Sequence, residues 1–153
     1  MSAKEDFLKE EFPSKLKELS DNEVGAWGVL TPQGMVEHMT DAIQNAYGRI
    51  KLQLQTKPEL LERMRAFVLS DIPFKQNTKN ALMSETPAPL RNASLGEAIW
   101  ELEKEIEYFM DFYKEHPGHK EMNPFFGELN YEEQLHLLHK HATHHLTQFN
   151  LID

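Results

Sequence analysis

Apolar residues three and four positions apart recur through this chain. That spacing constrains its fold more than any other feature, because only an α-helix gathers such residues on one side. Ile99, Leu102, Ile106, Phe109, Met110 and Tyr113 make one stripe, and Tyr131, Leu135, Leu138, Ala142, Leu146 and Phe149 make another. Met35, Met39, Ala42, Ile43, Ala46 and Ile50 give a third; Phe7, Leu8, Phe12, Leu16 and Leu19 give a fourth. No strand-like alternation of useful length interrupts them. The expectation is an all-α protein, a bundle of four main helices forming a single domain over residues 1–153.

Capping signals set the boundaries. The first helix runs from Ser2 to about Ser20, bent or split where Pro13 removes a backbone donor. Asp21 to Leu30 is a connection whose Trp27 anchors into the core. Thr31 as N-cap with Pro32 in the first turn opens the second helix. Thr56-Lys57-Pro58-Glu59 reads as a capping box for a short helix to about Leu69, and Ser70 to Ala93, with Pro73, Pro87 and Pro89, reads as loop. Ser94-Leu95-Gly96-Glu97 opens the third main helix, with Glu101, Lys104 and Glu105 expected in water. His116-Pro117-Gly118-His119 is a turn. Asn123-Pro124-Phe125-Phe126-Gly127 is a loop whose two aromatics either plug the end of the core or wall a pocket. Asn130, boxed with Glu133, caps the last helix.

Connection lengths give the topology. The first-to-second and third-to-fourth links are short, which suits antiparallel neighbours, whereas the long crossing from Lys51 to Ala93 lets helices two and three run parallel. The bundle is therefore expected to be up-down-down-up, with a short extra helix in its long crossover.

Seven of the eight histidines lie from His116 onward, and only His38 stands far upstream. His141 and His145 project from one face of the last helix a single turn apart, within reach of one ion. Gln134 and Gln148 share their sector, whereas Lys140, Thr143, Thr147, His136 and His139 point towards solvent. An i, i+4 pair also arises on the polar face of any amphipathic helix, so the pair alone leaves both readings open. His38, beside the second stripe, has its own plain alternative as a packed, hydrogen-bonded core residue. Topology joins the two. At about 1.5 Å per residue, His38 lies about 9 Å from the start of its helix and the pair roughly 5 to 12 Å from the end of theirs. Antiparallel packing of those helices brings the three together.

Three histidines with open positions is the pattern of a catalytic metal site. Gln148, one turn after His145, is placed to orient a ligand or water. Asp41, one turn after His38, is its candidate partner or base. A di-iron bundle needs two Glu-x-x-His motifs facing inward, and the one such spacing here, Glu133 to His136, points away from the stripe. A Gly-x-Ser-x-Gly elbow for a serine hydrolase is absent.

Composition narrows the classes further. Without cysteine, disulfides, thiolate ligands and a cysteine nucleophile are excluded, so a metal must be held by nitrogen and oxygen. A formal charge of −9 argues against nucleic acid, whose phosphates call for surplus Lys and Arg. No apolar run approaches the ~20 residues of a membrane span, and the charged N-terminus has no signal-peptide core. A cytoplasmic protein is expected.

The order of His38, the long crossover and His141-Ala142-Thr143-His144-His145-Leu146-Thr147-Gln148 resembles the DinB-like (DinB/YfiT) superfamily, whose pattern there is His-x3-His-x2-Gln. Asn123-Pro124-Phe125-Phe126-Gly127-Glu128-Leu129, with the His-His-Leu-x-Gln-Phe ending, resembles its DUF1569 branch. The resemblance implies a four-helix bundle of the same up-down-down-up order, often a homodimer, holding nickel or zinc through His38, His141 and His145. Some relatives are thiol-dependent transferases or isomerases that use mycothiol or bacillithiol; others are described as metal-dependent hydrolases.

Two expectations of different class follow. One is a metal-dependent enzyme, a hydrolase or thiol-S-transferase acting on a small molecule, with Asp41, Gln134, Gln148, Phe125 and Phe126 around the metal. The other is a non-catalytic helical bundle, a partner-binding or stress-related protein in which the triad is a relic or a stabilising clip.

Overall fold

Pro13 decides the form of the first helical stretch. A regular α-helix would ask the Pro13 nitrogen to donate and would press its ring against the carbonyl one turn back. Instead the chain runs as α1 (Ala3–Asp6), a five-residue π-helical turn (Phe7–Glu11) and α2 (Phe12–Leu16), with Pro13 in the opening turn of α2. The Phe12 N–H reaches back to the Phe7 carbonyl, so the extra residue is absorbed before the proline. Leu8, Phe12 and Leu16 are buried, as their stripe requires.

The computed structural model describes residues 2–75 and 89–152. They form a mostly helical fold: after α2 come α3 (Pro32–Ala46), α4 (Pro58–Leu69), α5 (Leu95–Glu115), a hairpin of β1 (Glu121–Asn123) and β2 (Gly127–Leu129), and α6 (Tyr131–Gln148). Pro87 and the middle of the expected crossover loop lie outside the described residues.

Thr31, Ser94 and Asn130 cap their helices as the sequence signals. Thr31 Oγ1 accepts from Gly34 N at 3.0 Å, and Asn130 and Glu133 form a complete capping box on α6. Ser94 Oγ accepts from Glu97 N, but the Glu97 carboxylate turns to Ala93 N, so only half of that box forms. The Thr56 box does not form at all: Thr56 Oγ1 donates to the Phe125 carbonyl at 2.7 Å, and Lys57 takes the N-cap position with no side-chain cap.

α3 stops at Ala46, one turn before Ile50. Gly48, at φ +83°, bonds back to Asn45 O while Arg49 N reaches Gln44 O, a glycine-terminated helix end. The hairpin is a second departure from a purely helical expectation. Its antiparallel strands pair Glu121 with Leu129 and Asn123 with Gly127. Three residues per strand are too few to leave an alternation in the sequence. The turn is held by Asn123 Oδ1, which accepts from the backbone of Phe125 and Phe126, and closes at Gly127, also at φ +83°.

One large apolar cluster joins α2, α3, α5 and α6 through residues such as Phe12, Met39, Phe109 and Leu146. A smaller one, with Val68, Phe126, Leu129 and Leu137, seats α4 and the hairpin on α6. Burial of those side chains stabilises each by about 1.5–3 kcal/mol. Glu105, expected in water, is buried: it bonds the Tyr47 hydroxyl and pairs with Arg49 Nη1 at 3.2 Å. No helix among the described residues is long and apolar enough to cross a membrane.

Candidate metal centre

α3 and α6 bring the three histidines together as the spacing argument anticipates. His38 Nε2 lies 3.1 Å from His141 Nε2, which lies 3.0 Å from His145 Nε2. One ring nitrogen from each falls within 4.8 Å of the others. His141 and His145 are buried and His38 is half-buried.

The protonation of His145 follows from its neighbours. Gln148 Nε2 donates to the Trp27 carbonyl at 2.8 Å, which turns Gln148 Oε1 towards the ring. That oxygen accepts from His145 Nδ1 at 2.8 Å, so Nδ1 carries the proton and Nε2 presents a bare lone pair to His141. With His145 Nε2 bare, at most one of the two Nε2 contacts is a full hydrogen bond.

Burial keeps the cluster neutral. It pushes the His141 and His145 imidazoles well below their ordinary value, and the neighbouring histidines add to the effect. His38 is lowered by burial too, with the Asp41 charge opposing. Neutral imidazoles are the ligating form.

The donor set suits a divalent transition metal. Nitrogen ligands about 2.0–2.1 Å from a tetrahedral zinc stand roughly 3.3 Å apart; the two Nε2 contacts, at 3.1 and 3.0 Å, are within a few tenths of an ångström of that, and all three nitrogens lie within 4.8 Å of one another. Imidazole accepts zinc, nickel, copper and iron alike.

A cavity of about 250 Å³ opens beside His38 and His141. It supplies the approach that a closed structural site lacks. Asp41, Gln134 and Phe125 lie on its wall, whereas Phe126 is buried below in the smaller cluster; one aromatic walls the pocket and the other plugs the core. Asp41 has no direct bond to His38: its carboxylate pairs with Arg91 at 2.8 Å.

Other expectations about α6 need correction. Lys140 is buried, its ammonium over the Phe67 ring and donating to the Phe67 and Ser70 carbonyls at the end of α4. Burial lowers its pKa. His136 is half-buried, with both ring nitrogens bonded. His139 packs edge-on against Phe7.

Two neighbours of the triad escaped the sequence reading. Phe74 and Trp27 pack on His144, and Phe74 also meets the edge of His141. Trp27 is half-buried against α6, not sunk in the core. Nothing in local spacing marks such contacts. Asn45, by contrast, stands seven after His38 on the same helical face, a legible position for a cavity residue.

Comparison of the chain with family models, with curated proteins and with solved structures gives no match.

Proposed function

We propose that this chain is a metal-dependent enzyme, a hydrolase or thiol-S-transferase acting on a small molecule, built on an up-down-down-up four-helix bundle of the DinB-like kind. The observation that carries the reading is the convergence of His38, His141 and His145 Nε2 beside a cavity, with the lone pair of His145 fixed by Gln148.

A divalent ion held there, zinc or nickel, supplies Lewis acidity and lowers the pKa of a bound water or thiol towards neutrality. The chain's own contribution is positional. Gln148 holds the His145 ring in one tautomer, and the Trp27 carbonyl holds Gln148. Phe74 covers the His141 edge and keeps water from that side. On the open side, Asp41 is the one cavity-lining carboxylate among the described residues, placed to hold a proton near His38 once Arg91 releases it.

The test is elemental analysis of protein purified without a histidine tag, alongside the His141→Ala/His145→Ala double variant. About one transition metal per chain, lost in the variant, is the expected result. No metal in either protein after dialysis against zinc and nickel overturns the reading.

A further inference from the structure

The cavity beside the triad is lined with carboxamides that are already oriented. Asn45, Asn123 and Gln134 keep only 6%, 7% and 1% of their surface exposed. Each spends one end of its amide on the backbone. Asn45 Nδ2 donates to the Ile50 and Met122 carbonyls at 3.1 and 3.2 Å. Gln134 Nε2 donates to the Glu121 and Leu129 carbonyls at 3.2 and 3.5 Å. Asn123 works the other way round, its Oδ1 accepting from Phe125 N and Phe126 N at 2.9 and 3.1 Å.

An amide carries its oxygen at one end and its NH2 at the other, so these bonds decide what remains. Asn45 Oδ1 and Gln134 Oε1 are left as acceptors, and Asn123 Nδ2 as a donor, none with a partner among the described residues. The rest of the wall is mostly apolar, including Leu52, Phe125, Leu137 and Leu138, with the His38 and His141 imidazoles and the exposed Gln55 as its other polar groups besides Asp41. Among the described residues no lysine or arginine lines it, and its carboxylate, Asp41, is neutralised by Arg91.

We propose that this cavity binds a small uncharged molecule bearing a planar carboxamide or urea group. Its N–H donors match the two free acceptors, its carbonyl matches the free Asn123 donor, and its apolar remainder lies against Phe125 and the leucines. A carboxylate of the same shape can accept from Asn123 Nδ2, but it brings no donor to the two free acceptors and finds no lysine or arginine among the described residues of the wall. The volume, at the small end of ligand sites, suits a single substituted ring. As a substrate class this rests on the proposed enzymatic reading; as a binding site it does not require the ion.

Titration calorimetry of the full chain with benzamide and with benzoate tests it, in chelator-treated and zinc-loaded protein. Saturable benzamide binding in both forms, about ten-fold tighter than benzoate, is expected, because a site built to hydrogen-bond a group rejects the analogue lacking it. Gln134→Met removes an acceptor and lowers benzamide affinity about ten-fold. Ala42→Leu fills the cavity without touching the amides and abolishes binding. Circular dichroism melts show which variants fold, and Ala42→Leu carries the test should Gln134→Met not.

Equal or tighter binding of benzoate, no saturable binding of either probe, or benzamide binding untouched by Ala42→Leu overturns the proposal. The two readings fail separately. Benzoate bound in preference to benzamide, and only with zinc loaded, keeps the metal and loses the carboxamide site. Benzamide bound by a protein that takes up no metal keeps the site and loses the metal-dependent enzyme.

Discussion

His136 and His145 stand on one helix, nine residues apart, and differ in what their ring nitrogens do. His136 has both occupied: Nδ1 accepts from the Lys4 ammonium at 2.8 Å, and Nε2 donates to the Ser70 carbonyl at 2.8 Å. His145 has only Nδ1 committed to the scaffold; its Nε2 meets another imidazole. The first histidine is a bridge between the N-terminal segment and the end of α4, and nothing is left over for chemistry. The second is held by one atom so that the other stays available. Helical position alone does not separate a structural histidine from a candidate ligand; the count of committed nitrogens does.

The most direct way to break this contrast is to remove each ring in turn. His145→Ala is expected to reduce bound metal from about one per chain to none, by elemental analysis, while His136→Ala leaves it unchanged. Gln148→Leu is a subtler blow to the same side. It frees the tautomer without removing a ligand, and is expected to lower metal affinity about 10–100-fold in competition with a chelator. On the other side, His136→Ala takes the partner from the Lys4 ammonium and leaves the Ser70 carbonyl with Lys140 alone, and urea melts should lose about 1–3 kcal/mol.

The smallest effect concerns the segment that carries Lys4. The Tyr131 hydroxyl donates to the Glu5 carboxylate at 2.6 Å, and this bond, with others from Ser2, lowers the Glu5 pKa from its ordinary 4.5. A depressed carboxylate gives its full stabilisation above the unfolded value. That stabilisation is lost as pH falls through 4.5 towards the folded value, because the unfolded chain takes the proton first. Tyr131→Phe should flatten this part of the acid limb when melting temperature is followed against pH, with metal content unaffected.

Much of this was legible in the sequence. The four stripes mark buried faces, and Thr31 and the Asn130–Glu133 box start their helices where the pattern says. The triad was legible because helix period and connection length together fix where a side chain can reach. Glu105 and Lys140 were not, because what permits their burial comes from residues far away in the chain: Tyr47 and Arg49 for one, the carbonyls of Phe67 and Ser70 for the other. The same holds for Trp27, which bonds Gln148 through a backbone carbonyl that every residue has. The hairpin fell below the length at which alternation can be recognised.

The strap formed by Ala26 and Trp27 has a spectroscopic consequence. Ala26 N donates to the Gln148 carbonyl and the Gln148 side chain donates to Trp27, so one glutamine pins the strap twice and lays the Trp27 indole against His144. The other indole, Trp100, is 63% exposed on α5 and sees water whatever happens at the histidines. Replacing Trp100 by Phe leaves one emitter, seated next to the triad, whose colour and intensity follow the seating of that strap. The protein thus carries its own optical probe of the site.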